Sequence, residues 1–225
     1  MLARARDHIH RAMIVDDAVP IITKRDKMVT AAIKAGMLSV TADTHAQVPR
    51  SATKDVIGAM SAMRRIFKQH ASNQINQVFG LRLESGSRIS RVEYRRDKVK
   101  HLLTNFNFLR DPSQSENEYF STPFFRHFMV DVLFCDSMEL WKYVDADLDV
   151  AFALGATAIA AALGDFWHGY HHDVDVKADN WRESYTKAVE LISWMRSNPT
   201  KSEWLTDYQE SIVTQGQALL APTNQ

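Results

Sequence analysis

One stretch of this sequence, residues 150–164, carries no charged side chain and contains seven alanines. Asp149 and Asp165 bracket it, and its 15 residues are fewer than the roughly 20 that a membrane-spanning helix needs. A helix that is apolar on every side must be covered on every side by other parts of the protein. The sequence therefore predicts a buried, Ala-rich central helix surrounded by other helices, and no membrane span.

Apolar residues recur at helical spacing along most of the chain, which indicates about eight helices. Alternating strands rich in Val or Ile are absent, and no internal repeat is visible. We therefore predict an all-α fold, a single multi-helix domain over residues 1–225. A sub-boundary is predicted at residues 110–120, between a basic N-terminal half and an acidic C-terminal half.

Local signals mark several boundaries of these helices. Thr122 followed by proline predicts a capped helix start, and Gly169 is predicted to end the central helix. Residues 106–114 are predicted to be extended. The sequence at residues 200–203 fits a capping box for the last helix.

The composition excludes several classes of protein. Apolar residues make up 45% and charged residues 24% of the chain, which is typical of a folded globular domain. Cys135 is the single cysteine, so a disulfide scaffold and a multi-cysteine zinc module are excluded. With no export signal visible, we expect an intracellular location, in the cytoplasm or the nucleus. Cys135 follows two apolar residues, which predicts a buried, unreactive thiol.

The zero net charge hides a separation of the signs along the chain. Residues 1–110 hold 20 basic and 9 acidic residues, a formal charge of +11. Residues 111–225 hold 7 basic and 18 acidic residues, a formal charge of −11. Three interpretations follow: a surface for an anionic partner, two halves that neutralise each other within one molecule, or self-association between unlike faces.

The order of these features resembles a known domain family. The shared features are a basic helix ending in Lys98–Leu103, a following Phe106–Pro112 stretch, an aromatic helix from Pro123, and the Ala-rich helix 156–163 with Trp167 behind it. They resemble an uncharacterised all-helical family that is expanded in mushroom-forming basidiomycete fungi, over roughly residues 3–197. The resemblance implies a helical fungal protein, and it implies no activity, cofactor or catalytic residue.

A row of basic residues is the first candidate site. Arg88, Arg91, Arg95 and Lys98 recur at spacings of three and four, so they share one face of a helix. Arginine is a favoured partner of phosphate, and this row predicts binding of nucleic acid or of an acidic protein. Further basic residues are predicted to extend the surface: Arg64, Arg65, Lys68, Arg82, Arg96 and Lys100. No named nucleic-acid-binding motif accompanies them.

A histidine cluster is the second candidate site. His168 and His172 are four residues apart, and on a continuous helix both rings would face one cation. His171 and Asp173 complete the set of candidate metal ligands. The alternative is a polar turn in which the imidazoles favour the negative C-terminal end of the central helix.

Function is predicted as binding rather than catalysis, with no cofactor. The leading hypothesis is an interaction module whose basic half binds an anionic partner. One alternative is a small-molecule binder or enzyme, with or without a metal ion, that has a pocket near the aromatic helix and the His168–Asp175 turn. Another is a self-associating structural protein that forms a homo-oligomer.

Overall fold

A computed structural model describes residues 1–38, 48–82, 87–111, 119–145, 147–175 and 177–221. These residues form eight α-helices and no β-strand, which confirms the all-α prediction. The helices are α1 (Leu2–Val15), α2 (Ile22–Leu38), α3 (Arg50–Val78), α4 (Arg88–Leu103), α5 (Pro123–Val130), α6 (Asp149–Gly164), α7 (Ala178–Arg196) and α8 (Pro199–Leu220). Residues 112–118 of the predicted 110–120 sub-boundary lie outside the described part of the chain.

Helix α6 is the predicted buried central helix. Helices α3 and α7 pack along it, and α1, α4 and α5 cover the remaining sides. Small side chains allow this close approach: a Cβ added at Gly155 would lie 2.6 Å from the sulfur of Met129. Across the described residues, no helix is both long enough and apolar enough to cross a membrane.

The aromatic helix α5 contributes to the core. Thr122 caps it, because its hydroxyl accepts a hydrogen bond from the Phe125 amide at 3.2 Å. The rings of Phe125 and Phe152 meet edge to face at 5.0 Å, and Phe128 meets Phe67 of α3 in the same way at 6.2 Å. These rings are buried, so the aromatic helix contributes to the stability of the core.

Four local predictions are wrong. Residues 106–109, predicted to be extended, belong to a short kinked 3-10 segment, Thr104–Leu109, with Asn105 (φ 50°) and Phe106 (φ 54°) in the left-handed region. Residues 112–114 of that prediction lie outside the described part of the chain. Helix α6 ends at Gly164 rather than near Gly169. Asn198, and not the 200–203 box, caps α8 by accepting from the Lys201 amide at 3.1 Å.

The fourth wrong prediction concerns the thiol. Helix α5 continues into one π-helical turn, Asp131–Cys135, and Cys135 is exposed at its end. The side chains of Val132, Leu133 and Phe134 are buried there. The wider π turn therefore places those apolar residues inward and leaves the last residue, Cys135, at the surface.

Candidate anion-binding surface and adjoining cleft

Helix α4 carries the predicted basic row on the surface of the domain. Ser87 caps it, with its hydroxyl accepting from the Ser90 amide at 3.1 Å. Val99 and Leu102 are its buried residues, and the basic residues flank that apolar stripe. Helical geometry places Arg91 and Lys98 on one side of the stripe, and Arg96 and Lys100 on the other.

One member of the row, Arg95, is used inside the fold. Its guanidinium donates to the carbonyl oxygen of Leu81 at 2.9 Å and to that of Gly169 at 3.1 Å. It also lies over the Phe166 ring, 5.6 Å from the centroid. Arg95 therefore attaches α4 to two other segments and is not available to an external anion.

The other α4 cations project from the domain. Arg88, Arg91 and Lys100 are exposed, and Arg96 pairs with its neighbour Asp97 at 3.3 Å. Among the described residues, no carboxylate lies within ion-pair distance of Arg88, Arg91 or Lys100. Arg82 is exposed just before α4. We call the following set, which lies on both sides of the apolar stripe of α4, the cationic face: Arg82, Arg88, Arg91, Arg96, Lys98 and Lys100.

The three predicted cations of α3 do not join this face. Arg64 and Lys68 are buried, and the exposed Arg65 lies about 20 Å of helix away from the C-terminal end of α3, which adjoins α4. Burial, together with the charges of Arg25 and Arg182, lowers the pKa of Arg64 to about 10. The prediction of a single surface of ten basic residues is therefore corrected to the cationic face of six.

Lys68 instead holds the turn that follows α6. Its ammonium group donates to Asp165 Oδ1 at 3.0 Å, to Asp173 Oδ1 at 2.6 Å and to the carbonyl oxygen of Val174 at 2.7 Å. Asp165 is buried, and its Oδ1 also accepts from the Val174 amide at 2.9 Å. The side-chain hydrogen bond from Lys68 and its charge lower the pKa of Asp173.

This arrangement puts an ammonium group where the predicted metal ion would need carboxylate ligands. His168 stacks on Tyr170 at 5.9 Å, whereas His171 Nε2 lies 4.0 Å from Asp165 Oδ2, and His172 donates its backbone amide to the Asp165 carbonyl oxygen at 2.7 Å. In the part of the chain that the structure describes, no group of three or more His, Cys, Asp or Glu is arranged to hold a metal ion. The predicted ligands His168, His171, His172 and Asp173 are thus not brought together around one point.

The same turn carries two aromatic side chains that the sequence reasoning missed. Trp167 is 44% exposed and Tyr170 is 56% exposed. Gly169 lies between them with a φ of +82°, and a Cβ there would meet the Val92 carbonyl oxygen at 2.2 Å. Only glycine permits this contact, which places the aromatic side chains beside α4. We call residues 165–175 the aromatic turn.

The cationic face and the aromatic turn contact each other at Lys100 and Trp167. The Lys100 ammonium lies 5.8 Å from the centroid of the Trp167 ring, within cation–π range. No pattern in the sequence indicates that Lys100 and Trp167, 67 positions apart, come into contact. The one available clue was the position of Trp167 directly behind the uncharged run, where a helix end brings side chains to the surface.

A cleft of about 1070 Å³ begins at this pair. Residues 103–108 and α4 form one wall, α7 forms the other, and Thr157, Ala160 and Gly164 of α6 form the floor. The lining is mainly apolar, and includes Leu103, Phe106, Trp181 and Leu191. The cleft adjoins the predicted His168–Asp175 turn through Val174, whereas its lining includes no residue of the aromatic helix α5.

The rim of the cleft carries charges of both signs. Glu183 and Lys187 of α7 form an exposed pair at 2.7 Å, and the hydrogen bond with Lys187 lowers the pKa of Glu183. Glu190 lies further along the same rim, while Lys100 stands on the α4 side. Positive charge without a described carboxylate partner is therefore found on the α4 side alone.

Comparison with known proteins gives a family and nothing more specific. A family model described as a domain of unknown function, DUF6532, matches residues 4–195. No curated protein and no solved structure matches the chain. The matched range runs from α1 into the last turn of α7, so it includes the cationic face, the aromatic turn and the cleft, and excludes α8.

Proposed function

Because this chain belongs to the DUF6532 family, whose description assigns no activity, we propose its function from its own surface: it is an interaction module that binds an anionic partner through the cationic face of α4. Binding, and not catalysis, is the proposed activity.

The exposure of the α4 cations is the observation that supports the proposal. The acidic half of the chain had offered a competing explanation, in which its carboxylates neutralise the basic residues. In the described residues, Lys68 is the basic residue that pairs with Asp165 and Asp173 of that half, whereas Arg88, Arg91 and Lys100 pair with none of its carboxylates. Internal neutralisation thus involves α3 and leaves α4 open to an external anion.

Salt-dependent binding tests the proposal. The probes are a fluorescently labelled 12-nucleotide single-stranded DNA of mixed sequence and labelled poly-glutamate, each titrated between 50 and 300 mM NaCl. We expect the affinity for at least one probe to fall steeply with salt, because each phosphate contact releases counterions. The triple variant R88A/R91A/K100A should bind at least tenfold more weakly and show a smaller salt slope, by about 0.7 per lost contact on a single strand.

The matched control is R4A/R6A/R11A, which removes three exposed cations from α1 and so changes the net charge equally. It should retain most of the affinity. Equal loss in both variants would show that net charge alone drives binding, and would overturn the assignment to α4. Sizing at 50 and 500 mM NaCl tests the self-association alternative, since an oligomer that dissociates in salt would mean that a second copy supplies the anionic surface.

Two broader expectations remain part of the proposal. One is an intracellular location, for which the single cysteine is the support. The other is a fungal source, for which the resemblance described above is the support. Fractionation of cells that produce the tagged chain tests the location, and recovery in the secreted fraction would contradict it.

A further inference from the structure

We infer that the anionic partner is a single-stranded nucleic acid, whose phosphates lie along the cationic face while one of its bases stacks on Trp167 at the mouth of the cleft. This inference rests on the proposed function and adds to it the class of partner. Its basis is the position of exposed aromatic rings beside cations that have no described carboxylate partner.

Contacts within the fold hold the aromatic turn beside α4, so that Trp167 lies next to Lys100. Arg95 donates to the Gly169 carbonyl oxygen at 3.1 Å, which attaches the aromatic turn to α4. The positive φ of Gly169 brings the two backbones into contact at Val92. The relative positions of Trp167 and Lys100 are therefore fixed before any ligand arrives, which lowers the entropic cost of binding.

The indole of Trp167 and the ammonium of Lys100 can bind the base and the phosphate of one nucleotide. The Lys100 ammonium lies over one face of the Trp167 ring, so a base would stack on the other face, irrespective of its sequence, while the lysine binds the phosphate of the same or the next nucleotide. Arg96 lies on the same side of α4 as Lys100, and it continues the positive charge along the helix. Arg91 and Lys98 lie on the other side of the apolar stripe, so the strand segment next to Trp167 contacts Lys100 and Arg96 first.

The cleft provides room for a base that leaves the stack. Its volume of about 1070 Å³ exceeds that of a nucleobase, and Leu103 and Phe106 offer apolar contacts beside Trp167. Thr104 and Asn105 stand at the same wall with side chains able to hydrogen-bond a base edge.

A duplex and an acidic protein fit this surface less well. A duplex hides the faces of its bases, so the exposed rings of Trp167 and Tyr170 would gain no stacking partner. Carboxylate side chains bind cations but offer no flat ring to an indole. The exposed rings of Trp167 and Tyr170 therefore favour a single strand over a duplex or an acidic protein.

The experiment compares four proteins on three probes at 100 mM NaCl: a 12-nucleotide single strand, the corresponding 12-base-pair duplex, and poly-glutamate. The proteins are the wild-type chain, W167L, Y170L and W141L. Trp141 is a matched control, because it is 38% exposed with Lys142 positioned 5.6 Å over its ring. It precedes the first residue of α6, whereas Trp167 follows the last, and the helix between them is about 24 Å long. Circular dichroism melting verifies that each variant is folded.

We expect the wild-type chain to bind the single strand at least tenfold more tightly than the duplex. W167L should lose about fivefold or more of its affinity for the single strand, since a base–aromatic stack contributes that much or more, and Y170L should lose a smaller amount. The W141L variant should bind as the wild type does. Binding of the duplex and of poly-glutamate should be unchanged in all three variants.

Four results would overturn the inference. Equal affinity for single strand and duplex, or a W167L variant that binds the single strand normally, would remove the stacking site while the proposed function stands, provided that R88A/R91A/K100A still weakens binding. Preference for poly-glutamate would identify an acidic protein as the partner. Absence of binding to all three probes would overturn both the inference and the proposed function.

Discussion

The ammonium group of Lys68 lies 2.9 Å from Oδ2 and 3.0 Å from Oδ1 of Asp165, and both side chains are buried between α3 and the end of α6. Asp173 and the Val174 carbonyl oxygen accept further hydrogen bonds from the same ammonium. The charge of the lysine is thus fully hydrogen-bonded by a turn 97–106 residues further along the chain. This contact fixes the aromatic turn relative to the long helix α3.

Substitution of Lys68 by Met tests the energetic value of this ion cluster. Met keeps the length of the side chain but leaves the buried carboxylate of Asp165 without its counter-charge, and such a loss typically costs about 3–5 kcal/mol. Urea denaturation should show this decrease in the free energy of unfolding. The double variant K68M/D165N should recover part of it, because the isolated charge is gone.

The exposed Lys187–Glu183 pair provides the control for that measurement. A solvent-exposed pair of this kind contributes little to stability, so K187A should unfold almost as the wild type does. A K68M variant that is as stable as K187A would show that the buried cluster contributes little to folding.

Substitution by alanine is expected to have opposite effects on stability at Gly169 and at Gly58. Gly169→Ala should destabilise the fold by about 2–4 kcal/mol, because an added Cβ meets the Val92 carbonyl oxygen at 2.2 Å and the φ of +82° disfavours alanine. Gly58→Ala, on the exposed side of α3 with no atom within 4 Å of the new Cβ, should stabilise it by about 0.5–1 kcal/mol. Thermal melting distinguishes the two signs, and destabilisation of equal size at both positions would contradict the assigned geometry.

We expect the stability of the fold to depend on pH because of the partly buried side chain of His10. Burial lowers the pKa of His10 below its ordinary value of 6.5, and within the described residues its Nε2 atom has no hydrogen-bond partner. The unfolded chain therefore binds a proton at this residue more readily than the folded chain does. Stability should consequently decrease as the pH falls through 6.5 toward the lower folded-state pKa.

Urea denaturation of H10L between pH 5 and 8 tests this dependence. The curve of free energy against pH should be flatter for H10L than for the wild type below about pH 6.5, which is the ordinary pKa of histidine. H101L, which removes an exposed histidine of α4, serves as the control and should follow the wild-type curve. Parallel curves for H10L and the wild type would rule out a contribution from His10.

Cys135 is exposed and nevertheless predicted to react slowly. Protein atoms that displace water from the sulfur raise the pKa of the Cys135 thiol, and the Asp131 carboxylate adds to this effect. The thiolate is the reactive form, so alkylation by iodoacetamide at pH 7.5 should be slower than that of free glutathione. D131N should react faster than the wild-type protein, and an unchanged rate would exclude an influence of Asp131.

The sequence predicted α6 correctly because an uncharged, alanine-rich run has few alternatives to burial within a bundle. It predicted the presence of the α4 cations for a similar reason, since their spacing depends on one helix alone. It did not predict the role of Arg95, whose hydrogen-bond acceptors lie 14 and 74 residues away in the chain.

The two wrong assignments at the site have the same physical origin. Lys68 was predicted to be a surface cation, but tertiary packing places it against Asp165. A metal site was one of two interpretations of the histidine cluster, and the ammonium of Lys68 pairs with Asp165 and Asp173 there. Trp167 was assigned to the central helix because apolar periodicity continues to it. The helix ends earlier, at Gly164, and the indole reaches the surface.

Because α6 is enclosed, substitutions in this central helix and substitutions at the surface affect the fold differently. Almost every residue of the central helix is covered by neighbouring side chains, so an increase in volume there disturbs several helices at once. The residues of the proposed binding surface lie on α4, α7 and the turn that joins α6 to α7. Substitutions there can therefore alter the surface of the domain while its architecture stays intact.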